Sequence, residues 1–453
     1  MKPNLDLHAN RPFHLAGIGG VGMSALAQAL LDQGFAVSGS DRLLDNGDET
    51  DVLQRLRGQG VRLFPQDGSG VGEASRLVVS SAVEPDNPDL RAAAGRKIPV
   101  IHRAEQLAEL TRGLRLMAVA GTCGKSTVTA MAGWILQEAG LDPVVVNGAE
   151  VVGWMTDGRI GSVRKGLGTW CVVEVDESDK SLTVFKPEFA VITNASADHF
   201  NMDETLALFD VFRRNVTGAV IDGILEGGHP RPSTLEGERP REPDTGREAC
   251  ATLWGSRFQW RGVEFSLPMP GAHNVQNAWH AARLATHAGV SPKTAADALR
   301  TFPGVARRLQ RHGLCGNAVV VDDYAHNPEK IAAAWQTVSA CHGPVAAVWR
   351  PHGFGPLRKM MPGLVDMFAR VMGRGDVLFV LPVYDAGGTA DRGVNSETLV
   401  SALVARGAAC HAVPTLDAAA DALRAVSRGV GALLILGARD PGLPRLAGKL
   451  AKS

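Results

Sequence analysis

The sequence lacks several features that would fix its role at once. It has no surplus charge: 47 lysines and arginines face 47 aspartates and glutamates across 453 residues. A nucleic-acid coat or a polybasic membrane surface needs a net positive field, so neither class fits. Any anionic ligand must be met by loop amides and single basic residues. No apolar run approaches the roughly 20 residues that span a bilayer. The opening stretch MKPNLDLHANRPFHLAGIGG lacks the long apolar core and small-residue cleavage site of a signal peptide. The six cysteines (Cys123, Cys171, Cys250, Cys315, Cys341, Cys410) include no CxxC pair. They read as reduced thiols of a cytoplasmic protein rather than a disulfide framework or zinc site. No repeat at solenoid spacing is present.

What the sequence does have is alternation. Short apolar runs and helical stretches succeed one another almost throughout, the pattern of parallel sheets covered by helices. FHLAGIGG, FAVSGSD, LVVSSAV and IPVIHR form a first series of strands. LRLMAVAG, DPVVVNG, WCVVEVD and FAVITN form a second, and AVVVDDYA, VAAVWRPH, DVLFVLPVY and ALLILGA a third. The expected fold is α/β: three tandem Rossmann-like nucleotide-binding domains with mostly parallel sheets, the central one of phosphate-loop ATPase type. The expected boundaries are residues 1–111, 112–305 and 306–453. Residues 227–248, dense in glycine, proline and charge, read as a loop or insertion.

Two loops carry the chemistry. Gly17, Gly19 and Gly22 make GxGxxG directly after the strand FHLA and before an amphipathic helix over residues 23–33, and Asp41 closes the next strand. Glycines there permit a tight turn and let the backbone approach a pyrophosphate at the helix N-terminus. The motif does not separate NAD from a UDP-sugar, and glycines serving helix–sheet packing alone are its bland reading. The second loop, GTCGKST, follows LRLMAVA and precedes the helical TVTAMAGWILQEAG. Lys125 would reach outer phosphates and the Ser126 hydroxyl a magnesium ion. The first glycine of the usual motif is missing, with Val119 in its place, so this is a shortened variant. Magnesium needs further oxygen ligands or a tuned second shell. Glu174 ends the apolar strand of WCVVEVDESD, and Asp198 and His199 follow that of FAVITNASADHF. Taken singly, each acidic group reads equally well as a solvated loop charge.

In order along the chain, GIGGVGMSALA, VVSSAVEPDNP, IPVIHRAEQLAEL, GTCGKST, VEVDESD, ITNASADHF, PGAHNVQN, FPGVARR, DDYAHNP and VYDAGG resemble the landmarks of the Mur ligases. The resemblance spans nearly the whole chain except roughly residues 204–260. It implies an ATP- and magnesium-dependent ligase that joins an amine, L-alanine or another, to the carboxylate of a UDP-sugar such as UDP-N-acetylmuramate. The route is an acyl phosphate, in peptidoglycan precursor synthesis. A carboxylate is a poor electrophile, and phosphorylation gives it a leaving group while lysine and magnesium meet the spreading charge. Carried over by position, Gly17, Gly19, Gly20, Gly22, Ser40, Asp41 and Ser80 belong to the UDP-sugar site. Gly121, Thr122, Gly124, Lys125, Ser126, Thr127, His273, Asn274, Asn277, Arg308 and Asp323 belong to the ATP site. Lys125, Glu174 and His199 are the implied catalytic residues, Ser126, Glu174 and His199 the metal-associated ones, and His326, His352 and Arg358 face the amine. The implied partners are small molecules, a UDP-sugar and an amino acid or peptide, with no nucleic acid or membrane, and a monomer or weak homodimer.

Some positions depart from the family pattern. Cys123 stands where histidine is usual, and Ser196 and Thr389 where glutamate is usual. The span between His199 and His273 is shorter. In WRPHGFGPLRKMM, Gly353 and Pro356 occupy two arginine positions while Arg358 remains. Neither replacement offers the bidentate fork that reads a carboxylate. Three alternatives follow: a paralogue using another amine, a nucleotide-binding regulator without turnover, and an NAD-dependent oxidoreductase. The last rests on the first loop alone and leaves GTCGKST unexplained.

Overall fold

The computed structural model describes residues 11–45, 47, 50–196, 200–225, 254–384 and 393–452. The stretch 227–248, Asp198, His199, Cys250 and Thr389 lie outside them. The described residues form two compact units, one drawn from Met1–Gly237, Ser256–Pro268 and Ala272–Val305, the other chiefly from Ala306–Ser453. The expected α/β class with mostly parallel sheets is what is found.

Among the described residues the first unit holds two large sheets and a two-stranded hairpin. β1 (Phe13–Ala16), β2 (Val37–Ser40), β3 (Arg62–Phe64), β4 (Arg76–Val79) and β5 (Val100–His102) pair in the order β3-β2-β1-β4-β5, all parallel. β6 (Arg115–Ala120), β7 (Val144–Val146), β8 (Val163–Arg164), β9 (Trp170–Glu174), β10 (Phe189–Ile192) and β11 (Ala219–Asp222) pair in the order β11-β10-β6-β9-β7-β8. Only β8 runs antiparallel there. Strands such as RLMAVA and WCVVE are apolar without alternation because helices cover both faces, and they are buried almost end to end. One apolar core runs from Phe13, Leu26 and Leu53 through Leu107 to Val173, Phe209 and Phe212, so the two sheets share it. Asp32 accepts both guanidinium arms of Arg159, at 2.8 and 2.6 Å, and Arg55 pairs with Glu150 across the same contact. A hairpin of β12 (Ser256–Trp260) and β13 (Val263–Leu267) leads into the helix Ala272–Thr286, which packs on the helix Lys125–Glu138.

The second unit is a sheet of β14 (Gln310–Cys315), β15 (Ala318–Asp323), β16 (Val345–Trp349), β17 (Val377–Val380), β18 (Cys410–Ala412) and β19 (Ala432–Leu436). Their order is β14-β15-β19-β16-β17-β18, with β14 alone antiparallel. ALLIL and VAAVW form its fully buried centre.

Candidate active site

In open parallel sheets ligands gather beyond the carboxyl ends of the strands. In the second sheet β6 is flanked by β9 and β10, so the loop after β6 lies between the ends of those two strands. Val119, where a longer loop would have its glycine, is still strand, paired with Val191 and Glu174. The loop is therefore only residues 121–124. Gly121 sits at φ 127, and a Cβ there would collide with Thr193 Oγ1. Gly124 sits at φ 84, where a Cβ would strike Asn277 Oδ1. This turn starts the helix at Lys125, two residues earlier than the apolar pattern suggests. The helix N-terminus leaves the amides of its first turn without intrahelical acceptors, facing the space where an anion is favoured.

Lys125 Nζ donates to Gly121 O at 2.7 Å and to Glu177 Oε2 at 2.6 Å, with Asp176 at 3.9 Å. Its side chain is 13% exposed and that of Glu177 3%. Burial works against the ammonium charge, but Glu177, Asp176 and Glu174 together outweigh it, so the pKa is held above lysine's ordinary value. Lys125 is thus a charged group at neutral pH. Ser126 and Thr127 are buried in the first helical turn. Glu174 Oε2 accepts the Gly148 N–H at 2.6 Å. Asn277 lies against the loop and donates to Asn274 Oδ1 at 3.3 Å, both being buried, while His273 is exposed one residue before Asn274. Lys125 and Ser126 thus follow the loop directly, Asn277 packs against Gly124 with Asn274 bonded behind it, and Glu174, ending the neighbouring strand, acts on Lys125 through its charge.

The first sheet has a comparable end. Gly17, Asp41 and Ser80 directly follow, or lie just past, the ends of three adjacent parallel strands, β1, β2 and β4. The Gly17 and Ile18 amides donate to Ser40 O at 2.8 and 2.9 Å, and the Gly19 amide donates to Asp41 Oδ2 at 2.8 Å. Gly20 N donates back to Gly17 O at 3.1 Å, closing the turn. A side chain on Gly22 would meet Arg103 Nη1 at 2.9 Å. The Ser40 hydroxyl points inward and donates to the buried Asp89. An open cavity nearby is lined by Arg42, Asp45, Gln66, Glu84, Asn87 and Arg91.

In the second unit, Asp323 ends β15 and accepts the amides of Leu309 and Ala325, each at 2.8 Å. Arg307 and Arg308 lie 5.1 and 5.5 Å from the Tyr324 ring. Arg307 also faces the buried Asp322 at 3.3 Å and donates to Gly437 O at 2.5 Å. Burial pushes Asp322 up to about 6 against the pull of Arg307, with Asp323's like charge adding to the rise. The His326 and His352 rings meet edge to face at 4.9 Å. Burial, helped by Arg439 and Lys330, lowers the His352 pKa. Arg358 is exposed on the helix Phe354–Val371.

The sequence matches the model of the Mur ligase family, catalytic domain, over residues 12–115 and of the Mur ligase, glutamate ligase domain, over residues 307–439. The UDP-N-acetylmuramate–L-alanine ligase of Agrobacterium fabrum is 36% identical over 422 residues, 87% of this chain and 86% of that protein. That of Maricaulis maris is 34% identical over 459 residues, 95% and 94% of the two. This chain belongs to the Mur ligase family. Its fold is similar to the UDP-N-acetylmuramate–alanine ligase of Thermotoga maritima, with a TM-score of 0.77 at 23% identity over 98% of this chain and 99% of that one. It is also similar to a murein peptide ligase of Psychrobacter arcticus, with a TM-score of 0.65 at 20% identity over 98% and 99%.

Four of the family departures, Cys123, Ser196, Gly353 and Pro356, lie among the described residues. Ser196 Oγ donates to Thr122 Oγ1 at 3.0 Å, so this departure touches the loop residue next to Cys123. Gly353 caps its helix at φ 83, a conformation that disfavours any side chain, and Pro356 occupies the first turn. Apolar patterning points to Glu174 in VEVDESD but not to Glu177 and Asp176, which among the described residues are the carboxylates within 4 Å of Lys125. Their neighbourhood depends on how the turn after β9 folds, which spacing does not reveal. Arg103 was passed over too. It pairs with Asp179 at 3.2 Å while resting on Gly22.

Proposed function

We propose that this Mur ligase joins the carboxylate of UDP-N-acetylmuramate to the amine of L-alanine, with ATP as the activating substrate, in the cytoplasm. The observation that carries the reading is Lys125, a charged ammonium at a helix N-terminus ringed by Glu177, Asp176 and Glu174. The names and coverage of the relatives supply the substrates. In this reading residues 1–111 take the UDP-sugar, residues 112–305 the ATP, and residues 306–453 the amine.

Support for a triphosphate here comes from the helix that starts at Lys125, whose first-turn amides lack intrahelical acceptors and lie beside the Lys125 ammonium, while Gly121 and Gly124 let Thr193 and Asn277 pack against the turn. Ser126 and Glu174 supply the hard oxygen donors that magnesium prefers, with His199 as their proposed companion. When bound, the ion adds positive charge where the transferring phosphoryl group spreads its negative charge. Lys125 exchanges Glu177 for phosphate oxygens and holds them in line with the attacking carboxylate. Glycine amides of the first loop, backed by Asp41, hold the diphosphate of the UDP-sugar. Arg308 and Asp323 act on phosphate and ribose, and His326, His352 and Arg358 receive the amine.

A second reading, in which the amine is carried by a peptide, draws on Gly353 and Pro356. Neither position offers a guanidinium to a free amino acid's carboxylate. Mass spectrometry of products from ATP, magnesium, UDP-N-acetylmuramate and a mixed pool of amino acids and short peptides separates the two. An L-alanyl product supports the first reading. A peptide adduct alone supports the second, and no adduct at all contradicts both.

A further inference from the structure

The phosphate loop here is one glycine short, and the structure contains what stabilises it from outside. We infer that Asn194, two residues past the end of β10, is the positioning residue that fixes the shape of this shortened loop for ATP; the inference rests on the functional reading above. Its side-chain amide grips the loop backbone on both sides. Asn194 Oδ1 accepts the Cys123 N–H at 2.9 Å, and Asn194 Nδ2 donates to Cys123 O at 3.1 Å. The same Oδ1 accepts the Thr122 hydroxyl at 2.8 Å, and the Asn194 backbone carbonyl accepts the Thr122 amide at 3.2 Å. Thr193 Oγ1 adds a bond to Cys123 O at 2.6 Å. Gly121 makes this approach possible, since a Cβ there would also come within 3.1 Å of Asn194 N.

The bonds divide the loop's donors into two groups. The Thr122 and Cys123 amides are both taken by Asn194, beyond the end of β10, and are not directed at a phosphate. The amides left for an anion are those at the start of the helix, with Lys125 beside them. A longer loop builds its cradle from its own successive amides. This one borrows the side-chain amide of a residue 71 positions away, just past the end of β10, to hold residues 122 and 123 in line. Only an amide provides a donor and an acceptor at that spacing; a carboxylate would face the Cys123 carbonyl with a second acceptor and add negative charge beside the triphosphate.

The test compares Asn194→Ala and Asn194→Asp with wild type, using the full chain. Titrations with a non-hydrolysable ATP analogue and, separately, with UDP-N-acetylmuramate give affinities, and steady-state rates separate KM from kcat. The inference predicts a rise of about ten-fold in Kd and KM for ATP in the alanine variant. It predicts a larger rise in the nearly isosteric aspartate variant, and UDP-sugar affinity within two-fold of wild type in both. A merely structural role would move both ligands and the melting temperature together, and that result would overturn the inference. So would unchanged ATP affinity in both variants. Thr193→Val, which removes one hydroxyl from the same carbonyl, decides the matter if the Asn194 variants do not fold: a rise in ATP Kd supports the inference, and no change refutes it. Wild type that binds no ATP analogue would instead sink the functional reading and this inference with it.

Discussion

Lys125 concentrates the chemistry of the site in one charge. Against the cost of burial, three carboxylates hold its ammonium protonated, and Glu177 accepts from it at 2.6 Å; in the proposed reaction a phosphate takes that place. Lys125→Gln keeps much of the bulk and loses the charge. The expected result is a loss of kcat of at least about a hundred-fold, with UDP-sugar affinity unchanged. Phosphate-release rates and a UDP-sugar titration check this, and near-normal turnover would contradict the assignment. Asp322 offers a second test at the same scale. Its carboxyl is raised from 3.8 to about 6 in the folded protein, chiefly by burial. The folded state therefore holds this proton where the unfolded chain has released it. Its stabilising contribution is complete below the unfolded value and is lost as pH rises through the folded one, a change of about 3 kcal/mol. Relative to Asp322→Asn, wild type should lose stability between about pH 4 and pH 6.5; parallel denaturation midpoints across that range would refute the shift.

At the scale of elements, the working parts are loops clamped at strand ends. Gly121→Ala tests the clamp, because a methyl group there meets Thr193 and φ 127 is unfavourable for alanine. The expected cost is about 1–3 kcal/mol of stability together with weakened ATP binding, read by thermal melts and nucleotide titration. Wild-type melting and affinity would show that the loop relaxes freely. The two loops themselves were legible in the sequence, since glycine spacing between an apolar strand and a helical pattern is a local signal. So was Glu174, a charge at the end of an apolar strand. What holds each loop was not: Asn194 acts on Cys123 across 71 residues and Arg103 on Asp179 across 76. Contacts at such separation follow from strand order, which periodicity does not give. The missing first glycine was visible, but its consequence appears only once Val119 is seen continuing the strand.

For the molecule as a whole, the alternation of apolar runs and helices carried the α/β class, because strands buried on both faces have continuous apolar sequence. It did not reveal that the first two sheets share one core, sealed by the Asp32–Arg159 pair, since those partners are 127 residues apart. A common core places the glycine loop and the phosphate loop in one compact unit. This suits a reaction in which a carboxylate held by one loop meets a phosphoryl group held by the other. Family membership and the charged, carboxylate-ringed Lys125 together lead to a single requirement: ATP is consumed only when both acceptor and amine are present. Phosphate release measured with ATP and magnesium, adding UDP-N-acetylmuramate and L-alanine separately and together, tests this most directly. The account predicts sustained release with both substrates and little with either alone; equal release in their absence, or none under any condition, would contradict it.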